Sequence, residues 1–316
     1  MLDFAFMQRA LLAALLVGLT APVVGTFLVQ RRLALVGDGI GHVALAGVAA
    51  GLLTATAPLW TALLAAVAGA VVIELLRGTA RASADVALAL LFYGGIAAGV
   101  VLISLSPEGT PANLTGYLFG AITTTTGTDL VVFAALAAFV LGTVLLLAPR
   151  LFAVSNDEEY SRATGMPVLT LNLLLGVLTA VTVVVSMRVV GLLLISALMI
   201  VPNAAAQQVA RSFRGTLAVA VVVGLVTSVS GVAVSYYTNT PSGGTIVVLA
   251  IGVFLVAAVG MAVRRAAAER GHGTEEYHPH EHGEECGHPV LVHGDHVDFV
   301  HDGHRHAVHD DHYDEH

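Results

Sequence analysis

Residues 35–51 have the sequence LVGDGIGHVALAGVAAG, an apolar stretch interrupted by two ionisable side chains, Asp38 and His42. Two residues four apart lie one turn apart on the same face of a helix. Small residues let neighbouring helices approach closely, and this stretch has glycines at positions 37, 39, 41 and 47. The stretch therefore predicts a tightly packed apolar helix with two polar groups on one face.

The rest of residues 1–268 is as apolar as this stretch. The whole chain is 56% hydrophobic and 11% charged, whereas soluble domains carry about 25% charged residues. A helix that crosses a bilayer needs about 20 apolar residues. Nine stretches approach that length, at 9–30, 38–57, 58–77, 85–105, 129–148, 167–187, 189–210, 215–237 and 243–263. We therefore predict an all-α polytopic membrane protein with a transmembrane domain at residues 1–268.

The number of transmembrane helices is eight or nine, because either 58–77 or 189–210 could cross only half of the bilayer. Residues 106–128 are too polar to span, although 114–122 could form a short interfacial or re-entrant helix. With nine spans, only Arg9 and Arg188 fall outside. The arginines on the inner side are then Arg31, Arg32, Arg77, Arg81, Arg150, Arg162, Arg211, Arg214, Arg264, Arg265 and Arg270. Cytoplasmic loops are rich in basic residues, so we predict a multi-pass protein of the cell membrane with its C-terminus in the cytosol.

All 14 lysine-or-arginine residues of the chain are arginines, so the chain has no lysine. The phosphate-binding loop of the Walker type requires a lysine on the β- and γ-phosphates. The chain therefore lacks the means to hydrolyse ATP, and any ATP-driven role requires a partner subunit. We predict no enzymatic activity and no catalytic cofactor.

Asp38 and His42 differ from the other ionisable residues of the predicted spans, Glu74, Asp85 and Asp129, which fall near span ends, because the two lie one helical turn apart. Charged groups within a membrane are costly, and they usually face a pathway or each other. A carboxylate and an imidazole one turn apart can share a divalent metal ion such as Zn²⁺. Alternatively, the two side chains form a hydrogen bond or ion pair that only holds the helices together.

The longest inner loop, residues 149–166, contains a cluster of charges that includes Asp157, Glu158 and Glu159. The cluster could be a solvated loop. It could also form a short helix with Asn156 as its cap, acids in its first turn and Gly165 at its end. Such a helix on the inner face would be a docking site for a cytosolic partner.

Residues 269–316 form a second region, which holds 13 acids and 2 arginines, a net charge of −11. Such a polar segment cannot bury a core, so we predict a disordered tail. Imidazole with thiolate or carboxylate suits Zn²⁺, and His-x-x-His recurs every eight residues, at 293/296, 301/304 and 309/312. The candidate tail ligands are His278, His280, His282, Cys286, His288, His293, His296, His301, His304, His306, His309 and His312. A solvated acidic tail is the alternative.

Three segments together resemble the membrane permease of the zinc/manganese ABC importer family. LVGDGIGHVALAGVAAG is similar to the Asp-x-x-x-His segment of its second helix, and SNDEEYSRATGMP to its cytoplasmic loop. VVGLLLISALMIVPNAAAQQVAR is similar to its Gly-Leu-Leu…Pro-x-x-x-Ala segment. The family often has Ala-Leu-Ser between the acid and the histidine and Leu-Pro-Gly after it, where this chain has Gly39-Ile40-Gly41 and Leu45-Ala46-Gly47. Both candidate ligands remain.

The resemblance implies a homodimeric permease with a type II ABC importer-like fold in membrane lipid. Cytosolic ABC ATPase subunits would dock on it, and an extracytoplasmic metal-binding protein would deliver the ion. Asp38 and His42 would contact Zn²⁺ or Mn²⁺ in transit, and Asp157, Glu158, Glu159 and Gly165 would belong to the helix that receives the ATPase stroke. No nucleic acid is involved.

We therefore predict a permease subunit that imports a divalent transition metal, most simply zinc, by alternating access. The main alternative is a secondary metal transporter, such as an exporter with a histidine-rich cytosolic tail. A transporter of that kind should have several acid–histidine pairs on different spans, and only Asp38 and His42 form such a pair. A membrane metal sensor would not explain so many spans, and a metalloenzyme would need a zinc-protease motif that the chain lacks.

Overall fold

The computed structural model describes residues 3–78, 84–105, 114–121, 125–187, 189–192, 194–269, 273–275, 287, 289–293, 296–301, 304–309 and 312–315. The chain divides into two compact units, Met1–Ala257 and Ala258–His316. The first unit is a helical bundle, and the second contains the end of the last helix and a small sheet.

Eleven helices are described. They are α1 Ala5–Gln30, α2 Val36–Leu53, α3 Pro58–Gly78, α4 Ala84–Ser104, α5 Leu114–Phe119, α6 Gly127–Asn156, α7 Glu158–Ala163, α8 Val168–Ser186, α9 Ile195–Val209, α10 Phe213–Thr238 and α11 Ser242–Glu269. Among the described residues, 8 helices are long and apolar enough to cross a membrane. The exceptions are α5, α7 and α9. The predicted all-helical membrane fold is confirmed.

The predicted stretch 189–210 is the one that does not form a full-length helix. Helix α9 begins only at Ile195, although the residues before it are apolar. Gly191 has a φ of +89° and packs directly on the backbone of Leu118–Gly120, where a side chain has no room. The Leu192 N–H donates to the Tyr117 carbonyl at 2.9 Å. These contacts replace the hydrogen bonds that further helical turns would have made.

The long helices of the first unit run back and forth between two ends of the bundle. The basic end carries Arg31, which contacts Glu158, and a cleft there places Arg211 beside Gln30 and Asn156. The opposite end carries a cleft lined by Phe6, Ser235 and Ser242. Val189, in the segment between α8 and α9, lies at the opposite end, because its carbonyl accepts from the Ser242 hydroxyl at 2.7 Å. Helix α8 therefore runs from the basic end to the opposite end, and the short α9 runs back. The short helix therefore reverses the chain direction as a full span would.

A buried polar network joins α1 to α9 where each helix contains a proline. Asn203, with no exposed surface, donates through Nδ2 to the carbonyls of Pro22 at 3.0 Å and Met199 at 2.8 Å. The Thr26 hydroxyl donates to the Asn203 Oδ1 at 2.6 Å. Polar groups inside a membrane must find partners within the protein. This network therefore satisfies the polar side chains beside the two prolines.

The described parts of the tail differ from the expected disorder. They form β1 Gly273–Glu275, β2 Val290–His293, β3 His296–His301, β4 His304–His309 and β5 His312–Glu315, in an antiparallel sheet with strand order β1-β5-β4-β3-β2. Polar and apolar residues alternate over the first four residues of β3, His296–Phe299, a pattern typical of strands. The eight-residue repeat matches a strand of six residues followed by two connecting residues. His278, His280, His282, Cys286 and His288 lie outside the described residues.

Candidate metal pathway and coupling helix

Asp38 and His42 lie in the first two turns of α2, near the basic end of the bundle. Asp38 lines an open cavity of about 400 Å³ together with Leu88 and Phe92 of α4. The His42 ring contacts the same Phe92 ring edge-on, with 4.4 Å between ring centroids. Both polar side chains are partly exposed. The structure therefore brings the two predicted ligands to one side of α2, where Phe92 borders both.

Glycine explains how α4 comes so close to these residues. A Cβ added to Gly95 would lie 2.7 Å from the Val43 nitrogen and 2.8 Å from the His42 carbonyl carbon. Real Cβ atoms do not approach other atoms this closely. Gly39 of α2 also packs closely on α4, since a Cβ added there would lie 3.1 Å from the side chain of Leu88. Close backbone approach through small residues is typical of membrane helix pairs, and here it fixes Phe92 beside His42.

We expect Gly95→Ala to separate α2 from α4 and to disturb the site. Overpacking of a tight contact costs about 1–3 kcal/mol, so unfolding of the purified protein should begin at lower temperature and metal uptake should fall. The neighbouring Gly94 offers a matched control, because a Cβ there meets nothing within 4 Å. Gly94→Ala should leave both measurements unchanged. Equal behaviour of the two variants would contradict the packing account.

The pair offers two candidate ligands in one chain. Among the described residues, no group of three or more histidine, cysteine, aspartate and glutamate side chains could hold a metal ion. Structural zinc sites have about four protein ligands. Conduction requires a site strong enough to admit an ion but weak enough to release it. Two candidate ligands on an open cavity would suit a transient contact with an ion better than permanent binding.

The predicted short helix of the inner loop exists as α7, Glu158–Ala163. The cap differs from the expectation, because α6 continues through Asn156 and the Asp157 side chain accepts from the Tyr160 N–H at 2.8 Å. The helix ends before Gly165, whose φ of +80° favours glycine. Asp157 and Gly165 therefore fix the two limits of α7.

Glu158 and Glu159, which the sequence presented as equivalent, have different surroundings. Glu158 accepts from Arg31 at 2.8 Å and from Arg162 at 3.0 Å, whereas Glu159 is exposed. Arg31 also donates to the Asn172 Oδ1 of α8 at 2.7 Å, and only 6% of its side chain is exposed. Glu158 thus connects α7 to the turn before α2, whereas the Glu159 side chain is exposed to solvent.

The Arg31 guanidinium lies among charges at the basic end. Burial lowers its pKa, the nearby Arg77 lowers it further, and the Glu74 and Glu158 carboxylates oppose the change. Arginine nevertheless stays charged in proteins. Glu74 and Arg77 form their own pair at 2.9 Å and line a cavity of about 630 Å³ with Glu158 and Asn172. Sequence reasoning used Arg31 only for topology, and nothing in the sequence indicated that its partners lie on α7 and α8.

The backbone register of the described tail strands places several histidine positions opposite one another. The register places His293 opposite His296, His301 opposite His304, and His309 opposite His312. His306 lies opposite Phe299 on one side and Glu315 on the other. The sequence repeat gave no indication of this pairing, because the tail was not expected to form strands.

These features define a class of protein: a polytopic membrane protein of transporter type with a candidate ligand pair beside an open cavity and a short helix on its basic end. The chain belongs to the ABC 3 transport family, the permeases of metal-importing ABC transporters, whose model matches residues 3–261. In that family the ATPase is a separate partner, and a substrate-binding protein completes the transporter. The resemblance inferred from the three segments is confirmed, as is the assignment to a subunit without enzymatic activity.

Relatives and a solved structure support this membership. The manganese transport system membrane protein MntC of Halalkalibacterium halodurans is 32% identical over 257 residues, which cover 81% of this chain and 88% of that protein. The high-affinity zinc uptake system membrane protein ZnuB of Buchnera aphidicola is 29% identical, over 75% of this chain and 90% of that protein. The structure of PsaBC from Streptococcus pneumoniae in complex with Fab has a TM-score of 0.73 at 31% identity, over 81% of this chain and 91% of that one.

Proposed function

We propose that this permease imports zinc across the cell membrane by alternating access. The observation that carries the proposal is the placement of Asp38 and His42 on one side of α2, with Phe92 bordering both. The two side chains contact the ion in transit. The open cavity beside Asp38 provides access for the ion, and its apolar wall of Leu88 and Phe92 limits how many polar groups compete for it.

The proposal extends to a homodimer. One chain provides two ligands, whereas a zinc ion in a protein has about four. A second copy with the same pair would supply the remainder, in agreement with the homodimer that the family resemblance implies. An extracytoplasmic metal-binding protein delivers the ion to the end of the bundle opposite Arg31.

ATPase subunits dock on α7 at the basic end. Glu159 is exposed, and Tyr160 is 63% exposed, so both are accessible to a partner. Movement of α7 reaches α2 through Glu158 and Arg31, because Arg31 directly precedes the turn that leads to α2. The Arg31–Glu158 bond, which is partly buried, therefore connects the coupling helix to the helix that carries the metal ligands.

The basic end faces the cytosol in this proposal. Arg31, Arg77, Arg162 and Arg211 all lie at that end, as the distribution of basic residues in cytoplasmic loops requires. Helix α11 starts at the opposite end with Ser242 and is long enough to cross the membrane. The tail that follows is then cytosolic, where it binds zinc and buffers the imported ion or limits import.

Zinc is favoured over manganese by the ligand chemistry of the tail. Aspartate with histidine suits both ions, but imidazole and thiolate are the ligands of zinc, whereas manganese prefers oxygen. The chain concentrates thirteen of its 14 histidines and its single cysteine after residue 271. A protein that handles manganese would have little use for such a segment.

The proposal is tested by uptake in cells that lack their own zinc and manganese importers. We expect the permease, expressed with its ATPase and binding protein, to restore uptake of radioactive zinc. A tenfold excess of manganese should leave zinc uptake unchanged, because zinc binds mixed nitrogen and oxygen ligands more tightly. Restored manganese uptake without zinc uptake would contradict the choice of metal but not the assignment to a metal importer.

A further inference from the structure

Ser196, in the first turn of α9, carries a buried hydroxyl that lacks a partner among the described residues. The residue is 5% exposed, and its Oγ forms no hydrogen bond within that part of the chain. Polar groups inside a membrane must find partners within the protein, and a buried group left unsatisfied is destabilising. Such groups are rare in native structures. The hydroxyl is therefore available to a polar group that reaches it during transport.

The start of α9 explains why this hydroxyl differs from others in the bundle. A serine or threonine inside a helix can donate to the carbonyl four residues earlier, as Thr179 and Ser186 of α8 do at 2.8 and 2.7 Å. The corresponding residue for Ser196 is Leu192, which lies before α9 begins. The Leu192 carbonyl oxygen lies against α2, where a Cβ added to Gly41 would be 3.2 Å from it. The irregular entry into α9 therefore takes this acceptor away from Ser196.

The Ser196 hydroxyl lies against the turn of α2 that carries Asp38. A Cβ added to Gly37 would be 3.3 Å from the Ser196 Oγ, and a Cβ added to Gly39 would be 3.1 Å from Leu88 of α4. Gly37 thus faces α9, and Gly39 faces α4. Adjacent residues of a helix point about 100° apart. Asp38 therefore projects between the two helices, with the α4 cavity on one side and the Ser196 hydroxyl on the other.

We propose that Ser196 is a positioning residue of the metal pathway, whose hydroxyl donates a hydrogen bond to the Asp38 carboxylate while that carboxylate holds the ion. A carboxylate has two oxygens, so one contacts the ion and the other accepts from Ser196. The bond forms when the Asp38 side chain turns from the cavity toward α9. This inference rests on the proposed contact between Asp38 and the ion. Hydrogen bonds to metal ligands orient them, and their loss typically costs 10- to 100-fold in affinity or activity.

Ser196→Ala tests this role, and Ser228→Ala is its matched control. Ser228 of α10 is also fully buried, and its hydroxyl likewise has no partner among the described residues. It packs on Gly18 of α1, where a Cβ would lie 3.0 Å from the Ser228 Oγ. The experiment measures uptake of radioactive zinc over a range of concentrations, in cells that contain the ATPase and the binding protein, and the unfolding temperature of each purified permease.

The apparent KM for zinc should rise about 10- to 100-fold in Ser196→Ala and stay unchanged in Ser228→Ala. Neither variant should unfold at lower temperature, because neither hydroxyl has a bond to lose. An unchanged KM for Ser196→Ala, or an equal rise in both variants, would overturn the role of Ser196. A lower unfolding temperature for Ser196→Ala alone would also overturn it, since the hydroxyl would then have a structural partner.

The unchanged protein separates this inference from the proposed function. If it takes up no zinc, the proposed function fails, and the role of Ser196 in zinc transport fails with it. If it takes up zinc and Ser196→Ala does so with the same KM, the proposed function stands and the positioning role alone is rejected.

Discussion

Asp38→Ala and His42→Ala should each reduce zinc uptake by about 100-fold or more. Removing even a group that only supports a metal ligand costs about 10- to 100-fold in affinity or activity, and these two side chains are the ligands themselves. Both variants should still insert into the membrane and bind the ATPase, because α2 is held by glycine contacts with α4 and with Thr61 and Ala62 of α3. Uptake of radioactive zinc in cells, corrected for the amount of permease in the membrane, measures the effect.

The control for these variants lies in the same helix. The Val43 side chain follows His42 in the sequence and packs against Gly69. Val43→Ala shortens it and leaves both ligands in place. It should retain most of the uptake. Normal uptake by the Asp38 and His42 variants would show that the pair only holds helices together. Loss of the protein from the membrane would indicate the same structural role.

Glu158→Ala should uncouple ATP hydrolysis from zinc uptake. The substitution leaves the Arg31 guanidinium buried with Asn172 as its remaining side-chain partner, and an unsatisfied buried group costs about 1–3 kcal/mol. Coupling between distant sites is usually worth about 1–3 kcal/mol, or roughly 5- to 150-fold. We therefore expect uptake to fall within that range while the ATPase still binds, since the exposed Glu159 and Tyr160 are unchanged.

Arg162→Ala is the matched control for this prediction, because Arg162 binds the same carboxylate from the solvent side. Its side chain is 72% exposed, and exposed ion pairs contribute about 0–1 kcal/mol. Uptake by Arg162→Ala should stay close to that of the unchanged protein. The two variants are compared by ATP hydrolysis and zinc uptake in the same membranes. Loss of ATPase binding by Glu158→Ala would instead place Glu158 in the docking surface.

Most of the helical fold could be predicted from the sequence, because membrane helices must be long and apolar. The stretch 189–210 shows where this reasoning ends. Its hydropathy is that of a span, but the helix starts at Ile195 because Gly191 packs on the backbone at the end of α5. Such a contact joins segments far apart in the chain, and hydropathy contains no information about it.

The candidate site divides in the same way. Helical spacing predicted that Asp38 and His42 share a face, because that relation is local. The role of Phe92 depends on how α4 packs, and the bond between Arg31 and Glu158 joins residues 127 positions apart. Local patterns could not distinguish the partly exposed Glu158, which pairs with Arg31, from the exposed Glu159. In the tail, local sequence held more information than we used. The His-x-x-His repeat, which served only to count candidate ligands, also coincides with the positions where strands begin and end.

ATP-driven import is tested most directly by zinc movement in proteoliposomes that contain the permease with its copurified ATPase. We expect zinc to move only when ATP is present, toward the side that carries the ATPase, and a proton gradient alone to have no effect. Zinc movement that needs no ATP and follows a proton gradient would contradict it and would identify a secondary metal transporter.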